Sequence, residues 1–455
     1  MKPLVTEKSP PGDSRFNASR TLQKRAHALI PGGSHTYAKG DDQYPELSPG
    51  FIARGSGCHV WDADGNEYIE YGMGNRAVGL GHAYPPVVDA ARAALGDGCN
   101  FTRPTPLEVA CAEEFLGLIT GAEMVKFAKD GSDATSGAMR LARAYTGRDL
   151  IAICGDHPFF SVDDWFIGTT AMGAGIPQAT RDLTLAFRYN DIASVKALFD
   201  KHPGQIAACI LEAARTDEPR DNFLQELQRV CHANGALLVF DEMITGFRWA
   251  KGGAQSVYGV VPDLSCWGKA LANGFSVSAL AGKREFMRLG GLDHFDKPRV
   301  FLLSTTHGAE THALAAAIAS MRVYRDEPVI EHLYRLGTRL REGAEQVIRQ
   351  RGMEKYVKIS GRPCCLLFGT LGPDGKPSQA YRSLFLQETI KRGVIMPSLV
   401  VSYSHTNADI DATVEAIDGA LEVYARALEV GAERYLVGRP SQIVYRTYNQ
   451  KDATA

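Results

Sequence analysis

The alternation of apolar runs with amphipathic segments predicts a mostly parallel sheet in the middle of the chain. Two short, continuous apolar runs occupy residues 206–211 and 236–240, and a helical pattern lies between them at 223–234. Helical periodicity also covers 135–146 and 192–199. Strands buried on both faces read as continuous apolar runs, and helices then cover the sheet. We therefore expect an α/β fold with active residues at the carboxyl ends of the strands.

The N-terminal part of the chain has a different pattern. Residues 58–70 alternate between apolar and polar positions around the Asp-Gly pair at 64–65. This arrangement is typical of a β-hairpin. A short helical pattern at 19–29 precedes it, and the Pro-Gly-Gly sequence at 31–33 ends that helix.

The C-terminal part predicts a smaller second domain. Long helical patterns at 328–350 and 407–429 surround short strands expected near Val357 and Cys364. The tail from residue 431 to 455 is polar, basic and aromatic. Its composition fits docking on the body of the protein and partial disorder equally well.

Composition narrows the class of protein. A chain of 455 residues is too long for one compact core, and 45% apolar with 22% charged residues is typical of a globular enzyme. A formal charge of −2 points away from nucleic acid and anionic membranes, and neither a signal core at residues 1–12 nor a membrane-length apolar run is visible. The nine cysteines show no CxxC pair and no zinc spacing. We expect reduced thiols, no metal and a cytoplasmic location.

Lys269 and Asp241 form the pair with the clearest chemical meaning. Asp241 follows the apolar run 236–240, and Lys269 lies 28 residues later between apolar segments. Taken alone, Lys269 would be a solvated surface residue and Asp241 a helix cap. Together, a lysine that forms an imine with an aldehyde and a carboxylate that keeps a pyridinium nitrogen protonated are what a pyridoxal phosphate enzyme needs.

Three further motifs stand at informative places. Gly131-Ser132 precedes a helical pattern, and a Gly-Ser turn at a helix start presents N–H groups that suit a phosphate, although ordinary helix caps look the same. The segment 155–165 contains His157, Phe159 and Phe160. A third segment, 304–316, begins Ser-Thr-Thr-His-Gly.

In this order, the motifs between about residues 31 and 417 resemble the class III aminotransferases, in particular the branch that contains glutamate-1-semialdehyde aminomutase. The resemblance implies fold type I (aspartate-aminotransferase-like) and pyridoxal 5′-phosphate bound through Lys269. It also implies that the chain is divided into three parts. Residues 1–70 contribute to the small domain and the active site, 71–322 form the large cofactor-binding domain, and 323–455 form the α/β small domain with its tail.

The resemblance assigns roles around the cofactor. Asp241 would contact the ring nitrogen, and Glu242 would orient Asp241 or make a structural contact. Gly131 and Ser132 would bind the phosphate, with the neighbouring Asp130 pointing away.

In the segment 155–165 the family places a ring that stacks on the cofactor. Phe159 or Phe160 would be that ring and His157 the family histidine, with core packing as the alternative for the two phenylalanines. Thr306 would reach the phosphate of a neighbouring subunit, which implies a homodimer with shared active sites.

The substrate side departs from the aminomutase pattern. Lys39 stands where that branch has an arginine that grips the substrate carboxylate, and lysine cannot make the same bidentate contact. Arg76 is a candidate anion anchor or a structural ion-pair residue. The aminomutase glutamate that follows Pro-Ser has no match after Pro397-Ser398.

These features favour an aminotransferase with a ping-pong mechanism, an unidentified small-molecule amino donor, and a carbonyl acceptor that is polar or sugar-like. The alternatives on the same scaffold are intramolecular amine transfer of the aminomutase type and a racemase, epimerase or decarboxylase reaction. A catalytically inactive dimer that only holds the cofactor belongs to a different class, and the intact pair of Lys269 and Asp241 argues against it.

Overall fold

The computed structural model describes residues 14–449, whose internal contacts define two units. The first unit combines 14–76, 80–84 and 331–449, and the second unit combines 77–79 with 85–330. Residues 1–12, examined above for a signal core, and the last residues of the tail, 450–455, lie outside the described range. Within 14–449, no helix has the length and apolar character needed to cross a membrane.

Strands occur in both units. In chain order they are β1 (Ile52–Ser56), β2 (His59–Asp62), β3 (Glu67–Glu70), β4 (Met124–Ala128), β5 (Leu150–Cys154), β6 (Thr184–Phe187), β7 (Ile206–Leu211), β8 (Leu237–Asp241), β9 (Leu264–Trp267), β10 (Ser278–Gly282), β11 (Val357–Ser360), β12 (Leu367–Thr370) and β13 (Val394–Ile395).

The α-helices of the second unit precede, separate and follow its strands. They are Pro85–Gly96, Pro106–Leu118, Gly131–Thr146, Asp164–Ile167, Gln178–Arg181, Ile192–Lys201, Phe223–Ala233, Gly253–Tyr258, Arg284–Met287 and Thr311–Asp326. Those that lie wholly or almost wholly in the first unit are Asn17–Leu29, Val329–Gln350, Gln379–Lys391 and Asn407–Val430.

The second unit is built on a seven-stranded sheet in the order β4-β10-β9-β8-β7-β5-β6. Strand β10 is antiparallel to both of its neighbours, and the other pairs are parallel. All six residues of β7 and all five of β8 are buried, as expected for parallel strands covered on both faces. The predicted α/β fold is confirmed. Strand β8 extends one residue beyond the apolar run, so Asp241 ends the strand rather than following it.

The first unit contains a four-stranded sheet in the order β1-β2-β3-β13 and a two-stranded sheet of β11 and β12. The predicted hairpin is present as antiparallel β2 and β3, with Gly65 at a φ of 88° in the turn. The strand predicted near Cys364 is present as β12, but it begins only at Leu367. Residues Pro363–Cys365 form a 3₁₀ turn instead, because Pro363 has no N–H to donate to a strand partner.

The tail packs against the rest of the first unit as far as Arg446, which forms an ion pair with Asp42. Gln387 Nε2 donates to the carbonyl of Tyr435 at 3.0 Å, and the Val437 N–H donates to Gln387 Oε1 at 2.8 Å. Leu436 and Ser441 are buried. Of the two options that composition left open, docking therefore describes the tail over 431–446.

Candidate active site

Four adjacent strands of the second unit carry chemically active residues at or just beyond their carboxyl ends. Lys269 follows β9, Asp241 ends β8, Glu212 follows β7, and His157 lies just after β5. The strands β9, β8, β7 and β5 are neighbours in the sheet and run parallel. Residues at the carboxyl ends of such strands meet at one edge of the sheet, where α/β proteins bind their ligands.

Asp241 is a buried carboxylate with an unusual electrostatic setting. Its Oδ1 accepts a hydrogen bond from the Met243 N–H at 2.9 Å. Burial, followed by the negative charge of Glu212, raises the pKa of Asp241 to about 7, while the positive charge of Lys269 acts in the opposite direction. Lys269 is therefore close enough to influence Asp241, and a further cation at this place would return the carboxylate to its charged form.

Lys269 has a constrained backbone at the start of the 3₁₀ turn Lys269–Ala272. Its φ of 47° lies in the left-handed region, which is uncommon for a residue with a side chain and recurs at functional sites. A Cβ on the preceding Gly268 would lie 2.8 Å from Met243 Sδ, so a side chain there would require Met243 to move. Ala270, Leu271 and Ala272 are buried. The lysine is thus held in one place by its flanks.

Glu212 belongs to this group, and the sequence reading missed it. It is buried, and the strand register pairs Leu211 with Phe240, which sets Glu212 beside Asp241. The signal was present in the chain, because Glu212 directly follows the apolar run 206–211 just as Asp241 follows 236–240. An acid at the end of a buried parallel strand is the pattern that would have identified it.

The aromatic candidates are placed differently from one another. His157 is buried, and its Nδ1 accepts a hydrogen bond from the Glu212 N–H at 3.1 Å. Burial, with the charge of Arg215, lowers the pKa of His157 to about 4, so the ring is neutral. Phe160 is 1% exposed and packs edge-on against Phe166 at 5.6 Å, whereas Phe159 is 42% exposed. Phe160 therefore has the environment of a core residue, and His157 is the ring held at the end of the sheet.

The carboxylate of Glu242 makes contacts within its own loop. Glu242 Oε1 accepts from the Gln255 N–H at 2.7 Å, and Oε2 accepts from the Ala254 N–H at 2.8 Å and from the Thr245 hydroxyl. Of the two roles considered for Glu242, these contacts are those of the structural one.

The helix Gly131–Thr146 follows β4 and begins with a double cap. Asp130 accepts a hydrogen bond from the Asp133 N–H at 3.0 Å, and Asp133 accepts in return from the N–H groups of Lys129 and Asp130. The Asp130 carboxylate is committed to capping its own helix. Ser132 is buried, and its hydroxyl accepts from the Val162 N–H at 3.0 Å, which fixes the loop after Ser161 against the helix start.

Thr306 is exposed in the single chain, and its carbonyl accepts a hydrogen bond from Asn100 Nδ2 at 3.0 Å. In the first unit, Lys39 is exposed on a 3₁₀ turn, Tyr37–Lys39, whereas Arg76 is half-buried and lines a cavity together with Ala38. The structure thus separates the two substrate candidates. Arg76 lines the cavity, and Lys39 is not among the lining residues.

One group of possible metal ligands also lies in the first unit. Cys58, His59 and Asp409 bring ligand atoms within 4.8 Å of one another, although Asp409 is 350 residues away from His59. His59 Nε2 lies 3.0 Å from Asp409 Oδ1, and Asp409 Oδ2 caps the helix Asn407–Val430 through Thr406. Because these contacts already engage the carboxylate, we assign no metal to the group.

Comparison with known proteins gives one consistent result. Residues 39–156 and 162–421 match the family model of the class-III aminotransferases, which confirms the resemblance seen in the sequence. The chain is 36% identical over 427 residues to a glutamate-1-semialdehyde 2,1-aminomutase of Acetivibrio thermocellus, covering 88% of this chain and 97% of the relative. The aminomutase of Akkermansia muciniphila is 34% identical, with 88% and 98% covered.

Solved structures show the same fold. The FumI protein of Sphingopyxis sp. MTA144, in its PLP internal aldimine form, superposes with a TM-score of 0.84 at 30% identity, covering 95% of this chain and all of that one. An omega-transaminase from Sphaerobacter thermophilus superposes with a TM-score of 0.81 at 27% identity, covering 92% of this chain and all of that one.

Proposed function

Because the chain belongs to the class III aminotransferase family, we propose that it transfers amino groups with pyridoxal 5′-phosphate held at the edge of the sheet by Lys269 and Asp241. The observation that carries the proposal is the alignment of Lys269, Asp241, Glu212 and His157 on four neighbouring parallel strands. The family supplies the cofactor. When bound, it acts as an electron sink for the carbon that carries the amine.

The residues at the sheet edge fit this cofactor. A buried carboxylate whose pKa is raised to about 7 is poorly compensated by the protein alone, and a protonated pyridine nitrogen would supply the missing positive charge. Asp241 would then hold the proton on that nitrogen. Lys269 Nζ would bind the aldehyde carbon, and after its displacement by an incoming amine it would carry a proton to and from the substrate carbon.

The remaining contacts position the cofactor. Ser132 and the N–H groups at the start of the 16-residue helix Gly131–Thr146 would bind the phosphate, because this end of a helix attracts anions. His157 would provide the flat ring against the pyridine, since it is neutral and fixed by the Glu212 N–H. Phe159, half-exposed in the single chain, is the other ring available for that role.

The relatives support intramolecular exchange better than the ping-pong transfer predicted from the sequence. The chain is 36% and 34% identical to two aminomutases and covers 97% and 98% of their length. We therefore propose, as the first candidate reaction, amine transfer within a single substrate, as in glutamate-1-semialdehyde 2,1-aminomutase. No residue assigned above distinguishes the two courses, because both use Lys269 and Asp241 in the same way.

A ping-pong transfer between two substrates is the second candidate, and specific residues favour it. Lys39 replaces the expected arginine and is exposed, and no glutamate follows Pro397-Ser398. An omega-transaminase is also among the structures that share this fold, at 27% identity. An acceptor of different shape from glutamate 1-semialdehyde, polar or sugar-like, would be consistent with these changes.

One experiment separates the two courses. The holoenzyme receives glutamate 1-semialdehyde alone, and the isomer with the amino group on the former aldehyde carbon is quantified. A parallel reaction adds an isotopically labelled amino donor and a panel of carbonyl acceptors. Isomer without label supports the aminomutase course, whereas label in an acceptor product supports transamination. Solvent deuterium entering an amino acid without net transfer, or loss of carbon dioxide, would contradict both and favour a racemase, epimerase or decarboxylase.

We also propose a homodimer and a cytoplasmic location. Phe101, Phe295 and Phe301 are each more than half exposed in the single chain, and such apolar surface is typical of subunit interfaces. A shared site would let Thr306 of one protomer reach the phosphate in the other. All nine cysteines are free thiols, as is usual in reducing compartments.

A further inference from the structure

The first unit contains a polar cavity of about 310 Å³ that the cofactor chemistry does not use. Four separate parts of the chain line it, namely the 38–44 segment, the 72–76 turn, the region 379–398 and the C-terminal tail at 441–444. Two guanidinium groups, Arg76 and Arg382, and two side-chain amides, Gln43 and Gln442, are among its lining groups. This combination of cations and amides is suited to a polar anion rather than an apolar ligand.

Arg382 supplies a largely buried positive charge. Its Nη2 donates to the carbonyl of Pro397 at 2.9 Å, and its guanidinium lies 4.7 Å from the ring centre of Phe368. A carbonyl and an aromatic face orient the group without neutralising its charge. Burial accordingly lowers the pKa of Arg382. An anion in the cavity would provide the compensating charge.

The two amides have unused hydrogen-bonding capacity that points to a ligand. Among residues 14–449, buried Gln43 Nε2 and buried Gln442 Oε1 have no hydrogen-bond partner. A buried polar atom left in this state destabilises the folded protein, and a ligand that pairs with it removes that cost. One open donor and one open acceptor match hydroxyl groups, which can accept from the first and donate to the second.

The tail is fixed where it lines the cavity. The Gln442 N–H donates to the carbonyl of Asp42 at 2.8 Å, and the Ser441 N–H donates to Ser383 Oγ at 2.7 Å. Arg446 forms an ion pair with Asp42 at 2.7 Å. Gln442 therefore faces the cavity because the residues on either side of it are anchored.

Arg76 reaches the cavity from a turn with an unusual backbone. Met73, Gly74, Asn75 and Arg76 all have positive φ values, between 43° and 70°. Non-glycine residues in that region are strained, and such conformations cluster at ligand sites. The turn holds the Arg76 side chain in a place that an ordinary helical turn would not give it.

We propose that this cavity binds a small hydroxylated anion of the sugar-phosphate class, with the anionic group at Arg76 and Arg382 and hydroxyl groups at Gln43 and Gln442. The C-terminal tail is then part of a binding site. The proposal deepens the proposed function, because the cavity contains Arg76, the candidate substrate anchor. It stands whether amine transfer is intramolecular or not, because binding is measured without turnover.

The test is calorimetric titration of the holoenzyme with glucose 6-phosphate, glucose and inorganic phosphate. We expect glucose 6-phosphate to bind saturably, with the two fragments at least about tenfold weaker, since each provides only half of the contacts. Failure of glucose 6-phosphate and a panel of other sugar phosphates to saturate would overturn the proposal. Inorganic phosphate binding as tightly as all of them would overturn the role of the amides.

Variants locate the site. Arg382→Gln should weaken binding by about tenfold or more, and Gln442→Ala by a smaller factor with inorganic phosphate unaffected. Arg434→Gln, an exposed arginine of the same tail outside the cavity, is the matched control and should bind as the unmodified protein does. Unchanged binding in a folded Arg382→Gln protein, or in Gln442→Ala should the arginine variant misfold, would contradict the assignment. Competition with the carbonyl substrate would identify the ligand as part of the substrate, and its absence would identify an effector.

Discussion

Asp241 is the residue whose environment says most about the chemistry. In the protein without cofactor, its buried carboxyl has a pKa of about 7, raised mainly by burial and then by Glu212. The folded state therefore binds this proton more tightly than the unfolded state. Stability from this group is complete below about pH 4 and is lost as the pH rises toward 7.

Asp241→Asn removes this titration. Above pH 7 the cofactor-free variant should be more stable than the unmodified protein, by on the order of 3 kcal/mol, and the difference should vanish near pH 4. Its turnover should fall by at least about 100-fold, because the ring nitrogen loses its counter-charge. Urea unfolding at several pH values and steady-state kinetics measure the two effects. Equal stability at pH 8 would show that the carboxylate is compensated within the protein.

His157 offers a second prediction at this scale. His157→Ala should weaken cofactor binding by about 2- to 10-fold, and His157→Phe should retain most of the affinity, if the ring stacks on the cofactor. Fluorescence titration of the cofactor-free protein gives both constants. Phe160→Leu is the control, since a core substitution should lower the melting temperature and leave the affinity unchanged. The opposite outcome for the two positions would return the stacking role to the phenylalanines.

At the scale of elements, the start of the helix Gly131–Thr146 contains both a stabilising cap and the proposed phosphate contact. Asp130→Ala removes the cap on the Asp133 N–H and should lower the free energy of unfolding by about 1 kcal/mol. Asp130→Asn keeps an acceptor and should cost less. Cofactor affinity should change little in either, whereas Ser132→Ala should reduce it. Chemical denaturation and cofactor titration of the three variants check this, and a large affinity gain in Asp130→Asn would mean that the carboxylate does face the phosphate.

The elements show why some features could be predicted from the sequence. Strands β7 and β8 coincide with continuous apolar runs, each followed by an acidic residue. The sheet and the position of Asp241 could therefore be predicted from the sequence. Glu212 ends an apolar run just as Asp241 does, but no second motif of the sequence pointed to it. The start of β12 was placed too early, because the apolar residues of the 3₁₀ turn Pro363–Cys365 resemble a strand until the proline is considered.

The cavity of the first unit could not be predicted, for a physical reason. Gln43 lies hundreds of residues before Arg382, and Gln442 lies in a polar tail. No periodicity of the sequence relates the three residues. Only the packing of the tail against the helix Gln379–Lys391 brings them together. Arg76 was recognisable as a possible anion anchor, but its left-handed turn was not.

At the scale of the whole molecule, shared sites make a complementation experiment possible. Hybrid dimers of a Lys269→Ala protomer and a Thr306→Val protomer contain one site with both residues intact and one site with neither. We expect the hybrids to regain about half of the unmodified activity, while each parent homodimer is impaired. Thr305→Val in place of Thr306→Val is the matched control. Hybrids no more active than the mixed parents would argue against a contribution of Thr306 across the interface.

The central claim, that Lys269 holds the cofactor, has the most direct test. The purified protein is saturated with pyridoxal 5′-phosphate, reduced with borohydride and digested, and the modified peptide is identified by mass spectrometry. Our account predicts a pyridoxyl phosphate group on Lys269 and none in a folded Lys269→Ala variant. Modification of a different lysine, or no covalent modification of a protein that is otherwise folded, would contradict it.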